Sequence, residues 1–263
     1  VDAELVRRGL ARSRQQAAEL IGAGRVTIDG MPAAKPATAI AVSASLTVER
    51  DDERTWVSRG AHKLIGALDA FGLSVNSRRC LDAGASTGGF TEVLLDRGAR
   101  EVVAVDVGYG QLAWSLRNDP RVVALERTNV RELTADMIGG TVDLVVADLS
   151  FISLATVLPA LTSCASDGAD IVPMVKPQFE VGKDRVGAGG VVSDPQLRTD
   201  AVLAVARRAA ELRWHTVGVT ASPLPGPSGN VEYFLRLRAT AETPLLGDRL
   251  EEAVHQAVAE GPQ

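Results

Sequence analysis

The sequence is poor in cysteine and contains no long apolar run. Only Cys80 and Cys164 occur in 263 residues, far apart and outside any C-x-x-C pair. That excludes a disulfide framework and a thiolate zinc site, and makes a cytoplasmic protein without a bound metal the expectation. The richest apolar stretch, residues 169–175, stops at Lys176, short of the ~20 residues a membrane helix needs. Near the N-terminus, Arg7, Arg8, Arg12 and Arg14 stand without the apolar core and small-residue cleavage site of a secretory signal. Positive charge is also in short supply: 28 Lys+Arg face 33 Asp+Glu, a net -5, which taken whole argues against a nucleic-acid partner. The total conceals its distribution. Residues 239–263 hold five acids and one Arg, whereas residues 54–63 hold Arg54, Arg59 and Lys63 and no acid.

What is present divides in two. Residues 1–48 read as a small α+β unit, with helical spacing over 3–8 and 14–22 and a short strand over 25–28. Ser13 is placed as the N-cap of the second helix, with Gln16 completing a capping box, and Asp29-Gly30 signals a tight turn. A charged run, 49–54, leads into Arg54-Thr55-Trp56-Val57. The expected division is therefore 1–53, a linker at 54–57, and a second domain over 58–263. In the second domain apolar strands at 80–83, 101–107, 122–125, 142–147, 171–175, 216–221 and 232–237 alternate with helical stretches at 91–97, 112–118, 154–165 and 195–212 and a weaker one at 133–138. Such alternation implies an α/β fold, a mostly parallel sheet covered on both faces. Seven strands suit a Rossmann-like class I methyltransferase better than a six-stranded dinucleotide domain.

The first of these strands runs into Asp82-Ala83-Gly84-Ala85-Ser86-Thr87-Gly88-Gly89-Phe90. Glycines there let the backbone turn sharply and approach a ligand at the end of a parallel strand. The spacing is neither the G-x-G-x-x-G of dinucleotide enzymes nor a phosphate-binding Gly-Lys-Ser/Thr loop. Asp106, at the end of the second strand, is placed to accept hydrogen bonds from a ribose diol. An acid in the first loop suits a cationic amino-acid ligand, and together these features point to S-adenosylmethionine. A tight turn without a ligand is the competing reading. Asp148 and Lys176 end the fourth and fifth strands, so both open onto the same crevice.

Lys63, Asp148, Lys176 and Glu232 match, in order and context, the Lys-Asp-Lys-Glu tetrad of FtsJ/RrmJ-like ribose 2′-O-methyltransferases. The whole chain resembles the TlyA family of bacterial rRNA 2′-O-methyltransferases, also called haemolysins. The similarity runs through 5–35, 58–64, 82–90, 106–111, 148–153, 176–180 and 222–232. The resemblance implies a ribosomal-protein-S-four-like RNA-binding domain joined by an Arg-x-Trp-Val linker to the methyltransferase domain. This chain has Thr55 where family members often have Ala. The implied reaction is cytidine 2′-O-methylation in 16S and 23S rRNA of 30S and 50S subunits, by a monomer, with family-linked sensitivity to capreomycin and viomycin. A 16S-only subtype and a pore-forming haemolysin are the alternatives. The helical spacing of 246–259 fits the longer, dual-target subtype, and no membrane-active pattern favours a pore.

A lysine removes a ribose proton only if its own pKa falls from ~10.4, as a second ammonium and a sulfonium nearby would favour. Lys176 is expected as base, with Lys63 on the hydroxyl, Asp148 orienting Lys176, and Glu232 holding Lys63. By resemblance, Gly84, Ser86, Gly88, Gly89, Phe90, Asp106, Asn129 and Asp148 contact the cofactor. Arg12, Arg14, Lys35, Arg59, Arg127 and Arg131 are candidates for rRNA phosphates, since local rather than total charge governs such contacts. Phe151 is read either as a stacking surface for an unstacked base or as core, and Ser228 as shaping the substrate entrance. Trp56 is expected to dock between the domains.

Overall fold

The computed structural model describes residues 1–33, 35–41, 44–48, 56–240 and 243–262. The chain separates into two compact units, Val1–Thr55 and Trp56–Gln263. The charged run 49–54 and linker residues Arg54 and Thr55 lie outside the described residues. Trp56 and Val57 pack, partly buried, against the core of the second unit.

In the first unit, helices α1 (Asp2–Arg7) and α2 (Arg14–Gly22) bury Leu5, Ala17 and Ile21 against Val26 of a three-stranded antiparallel sheet. Its strands are β1 (Val26–Ile28), β2 (Met31–Pro32) and β3 (Leu46–Val48), in order β2-β1-β3. Asp29 and Gly30 both take positive φ, 50° and 82°, as a two-residue hairpin turn requires. Ser13 caps α2 by accepting the Gln16 N–H at 3.2 Å. The reciprocal bond is displaced by one residue: Gln16 Oε1 accepts from the Arg12 N–H, at 2.7 Å.

The second unit is a seven-stranded sheet. In chain order its elements are α3 (Gly60–Ala70), β4 (Arg79–Ala83), α4 (Gly89–Asp96), β5 (Glu101–Val105), α5 (Trp114–Arg117), β6 (Val122–Leu125), β7 (Val142–Ala147) and α6 (Leu154–Ser163). There follow β8 (Ala165–Val175), α7 (Pro177–Glu180), α8 (Pro195–Glu211), β9 (His215–Ala221), β10 (Tyr233–Arg238) and α9 (Asp248–Glu260). The strand order is β6-β5-β4-β7-β8-β10-β9, with β10 antiparallel to both its neighbours. Alternate strand residues serve opposite faces. Leu81, Val103 and Val145 pack with α6, α8 and α9, while Cys80, Val102 and Leu144 pack with α3 and α4.

Several boundaries move for identifiable reasons. Strand β5 ends at Val105 because the Asp106 carboxylate accepts backbone N–H groups from Ser86 and Gly108 as the chain leaves the ladder. Helix α5 is shorter than expected: Ala113 is extended, with ψ of 140° and its N–H on the Thr87 carbonyl, so the helix starts only at Trp114. The weak helix expected over 133–138 resolves into two 3₁₀ turns, Val130–Glu132 and Asp136–Ile138. Strand β8 begins six residues early, with Asp170 buried inside it on ion pairs from Arg78 and Arg236.

Candidate active site

The site lies where the strand order reverses. Strands β4 and β7 are adjacent and parallel, with Ala83 beside Ala147, so the glycine loop and Asp148 leave the sheet together. This is the position at which parallel α/β sheets open a ligand crevice. Gly84 has φ of +89°, and a Cβ there would stand 2.4 Å from the Asp148 carbonyl oxygen. The Asp148 N–H in turn bonds to the Ala83 carbonyl at 3.0 Å. The two strand ends therefore interlock through backbone, and only glycine fits.

Helix α3, read from the sequence only as a motif, delivers Lys63 to this point. Burying Ala61, Leu64, Ala67 and Leu68 turns Lys63 inward, where it is 5% exposed. Its Nζ meets Glu232 Oε2 at 2.5 Å. Glu232 sits at the entrance to β10, 1% exposed, beneath Gly226, where a Cβ would come within 2.7 Å of Oε1. The second pair forms at the ends of β7 and β8: Lys176 Nζ lies 2.6 Å from Asp148 Oδ1 and donates to Ser150 Oγ at 3.0 Å. The ion pair is close but poorly aligned as a hydrogen bond, which leaves Asp148 Oδ1 with acceptor capacity. A crevice of about 270 Å³ is lined by Lys63, Asp148, Ser150 and Lys176 together with the glycine loop. Glu232 stands behind Lys63, outside that lining.

Ala85 and Ser86 line both this crevice and a small neighbouring pocket containing Asp106, Gly108, Gln111 and Glu126. Both Asp106 oxygens are engaged by backbone, from Ser86 at 2.8 Å and Gly108 at 2.7 Å. Gly89 and Phe90 line the crevice, whereas Gly88, the left-handed N-cap of α4, and Asn129 line neither cavity. Asn129 is exposed and caps the turn Val130–Glu132. Of these two spaces, the larger lies beside lysines and carboxylates and the smaller, of about 10 Å³, beside the strand-end Asp106. Neither space contains a phosphate cradle.

Beneath the loop, Asp82 is fully buried. It accepts the Thr91 hydroxyl at 2.6 Å, and its other oxygen has no partner. Burial pushes its carboxyl up to about 7; Thr91 opposes the rise, and the negative charges of Asp148 and Asp106 add to it.

Of the residues expected at RNA, Arg59 lines the crevice and donates to the Pro225 carbonyl at 2.7 Å. Arg127 stacks over Tyr109 at 4.1 Å, and Arg131 and Ser228 are exposed. Phe151 is 91% exposed, which removes the core reading, and its ring lies 5.2 Å from that of Phe179. In the first unit Arg12, Arg14 and Lys35 are all exposed. Asp2 links two of these segments: its carboxylate pairs with Arg14 at 2.9 Å and its N–H bonds to the Pro36 carbonyl. Ser150 in the crevice lining and Gln111 in that of the smaller pocket escaped the sequence reading, because no spacing marks a residue whose neighbours come from other loops.

Fold and site together define a class I methyltransferase, and the chain belongs to the FtsJ-like methyltransferase family, whose model matches residues 56–239. Residues 1–44 match the S4 domain. Within that class the chain is a member of the TlyA family. It is 76% identical over 262 residues, 100% of this chain and 98% of the relative, to the 16S/23S rRNA (cytidine-2′-O)-methyltransferase TlyA of Mycobacterium tuberculosis. It is also 36% identical over 227 residues, 86% of this chain and 94% of the relative, to Hemolysin A of Brachyspira hyodysenteriae. A solved structure from Streptococcus thermophilus superposes with a TM-score of 0.76 at 37% identity, covering 98% of this chain and 95% of that one. Among the described residues no helix is long and apolar enough to cross a membrane.

Proposed function

We propose that the protein transfers a methyl group from S-adenosylmethionine to the ribose 2′-hydroxyl of cytidines in 16S and 23S rRNA, within 30S and 50S subunits in the cytoplasm. The observation carrying this reading is that two lysine–carboxylate pairs from four separate elements meet beside the glycine loop, with both ammonium groups facing one crevice. A haemolysin has no comparable support in the site, since buried paired charges do not serve membrane insertion.

When bound, the cofactor supplies an electrophilic methyl group on a positive sulfur. The residues that would hold it are the backbone of Gly84–Phe90, Asp106 at the ribose and Asp148 at the amino-acid end, with Asn129 assigned to the adenine by resemblance. Lys176 Nζ is the base for the 2′-hydroxyl proton. It lines the crevice, ion-paired with Asp148 and hydrogen-bonded to Ser150. Lys63 Nζ, held by Glu232, orients the same hydroxyl oxygen. The first unit captures rRNA through Arg12, Arg14 and Lys35. Arg59, Arg127 and Arg131 hold phosphates near the crevice, Phe151 stacks on the extruded base, and Ser228 borders the entrance.

The test is transfer of labelled methyl to purified 30S and 50S subunits by wild type and Lys176→Ala, with nucleotide mapping. Wild type should label a cytidine in each subunit, and the variant should label neither while binding S-adenosylhomocysteine as wild type does. Turnover by Lys176→Ala near the wild-type rate would remove the assignment.

A further inference from the structure

The turn that follows Lys176 holds a second anchor. Lys176 immediately precedes α7, and Glu180 ends it. These two side chains grip opposite ends of one loop, residues 148–153. At its start, Lys176 meets Asp148 and Ser150. At its end, Glu180 accepts the Ser153 hydroxyl at 2.6 Å and the Leu154 N–H at 2.8 Å.

Between the grips sits Phe151, with φ of +62°. The left-handed conformation costs an L-residue about 1–2 kcal/mol. At 91% exposure the side chain recovers little from burial, and its ring contact is with Phe179, on the same turn as Glu180. A strained residue of this kind persists only where its flanks over-determine it. The leading flank is fixed by the Asp148 N–H on the Ala83 carbonyl. The trailing flank is fixed by Glu180 at the N-terminus of α6, a 10-residue helix whose positive end favours a carboxylate. Ser153 itself caps the Ala155 N–H at 3.2 Å, so its hydroxyl bridges helix and carboxylate. Burial raises the Glu180 carboxyl above its ordinary value, and the bonds from Ser153 and Leu154 oppose the rise.

We propose that Glu180 is a positioning residue: by holding the start of α6 it keeps the 148–153 loop in the form that sets Asp148 against Lys176 and turns Phe151 outward. Glu180 touches no reacting atom. The inference rests on the methyl-transfer reading for its catalytic consequence and on geometry alone for the loop.

Glu180→Ala and Glu180→Gln test it. The glutamine carbonyl still accepts the Leu154 N–H, and the Ser153 hydroxyl can rotate to meet the new amide. Hydrogen exchange in the free protein should speed up at least tenfold at the Leu154 amide in Glu180→Ala and stay near wild type in Glu180→Gln. For methyl transfer, kcat in Glu180→Ala should fall at least tenfold, S-adenosylhomocysteine affinity should weaken by a smaller factor because Asp148 on this loop also meets that ligand, and Glu180→Gln should recover most of both. In a cycle with Phe151→Ala the two losses should not add, because both act on one loop. Unchanged exchange in Glu180→Ala, equal loss of cofactor affinity and kcat, or full additivity would each overturn the proposal. If wild type methylated no subunit, the exchange comparison would still decide whether Glu180 holds the loop.

Discussion

Replacing Asp82 by Asn should stabilise the protein, and the gain should grow with pH. Asp82 is fully buried, with one oxygen on Thr91 and the other unpartnered. Its carboxyl moves from 3.8 to about 7 on folding, chiefly through burial. Below pH 3.8 both folded and unfolded chains hold the proton, and the group does not affect stability. Between 3.8 and about 7 the unfolded chain releases the proton while the folded chain keeps it, so stability falls as pH rises. Above about 7 the folded protein carries a buried charge at a constant cost. At about 1.4 kcal/mol for each tenfold in proton affinity, the full cost approaches about 4 kcal/mol. Asn keeps an oxygen for the Thr91 hydroxyl and cannot ionise. Urea unfolding of both proteins from pH 5 to pH 8.5 should give curves that diverge steadily up to neutral pH, with the variant the more stable by a few kcal/mol at the top. Parallel curves, or a variant less stable at pH 8, would refute the account of Asp82 as a buried group that is protonated in the folded state.

Other consequences follow from the same contacts. Glu232→Gln leaves the Lys63 ammonium buried without a counter-charge and should cost about 3–5 kcal/mol in urea unfolding. Lys63→Met with Glu232→Leu should recover most of that stability and none of the methyl transfer. Gly84→Ala drives a Cβ toward the Asp148 carbonyl oxygen at φ +89°, so calorimetry should show a lower Tm together with weaker S-adenosylhomocysteine binding. Arg14→Ala with Lys35→Ala should weaken subunit binding and make its salt dependence shallower by roughly one to two ions, as filter binding across a salt series would reveal. Because the Arg14 side of its pair with Asp2 is exposed, that double variant should lose little in Tm.

Much of the architecture was legible because strands buried on both faces read as apolar runs. The strands at Val122–Leu125 and Val142–Ala147 and the helix Arg14–Gly22 have the bounds that their patterns indicate. Helix α3 was not legible as a helix, since Gly60 and Gly66 obscure its periodicity and its apolar face becomes visible only once Leu64 and Leu68 have a core to enter. The early start of β8 was hidden for a related reason: Ser166, Asp167 and Gly168 look like a loop and lie in a register shift of the ladder, between Ala165, which pairs with Val142, and Asp170, which pairs with Leu144 and is held by Arg78.

That Lys63 and Glu232 join Asp148 and Lys176 as a set came from the family resemblance, whereas the sequence alone settled which strand ends carry Asp148 and Lys176 and where the glycine loop turns. These follow from local order, because a strand's end and the residue type standing there are properties of a short segment. The pairs that the resemblance implied, Asp148 with Lys176 and Glu232 with Lys63, depend on the tertiary structure to form. Lys63 could meet Glu232, 169 positions away, because α3 packs on the face of the sheet that turns it inward, and Lys176 could meet Asp148 because β7 and β8 are neighbours. The tertiary structure also decided that Phe151 is exposed and that Glu180 closes the loop carrying it. Contacts between residues so distant along the chain depend on closure and packing, which no local pattern encodes.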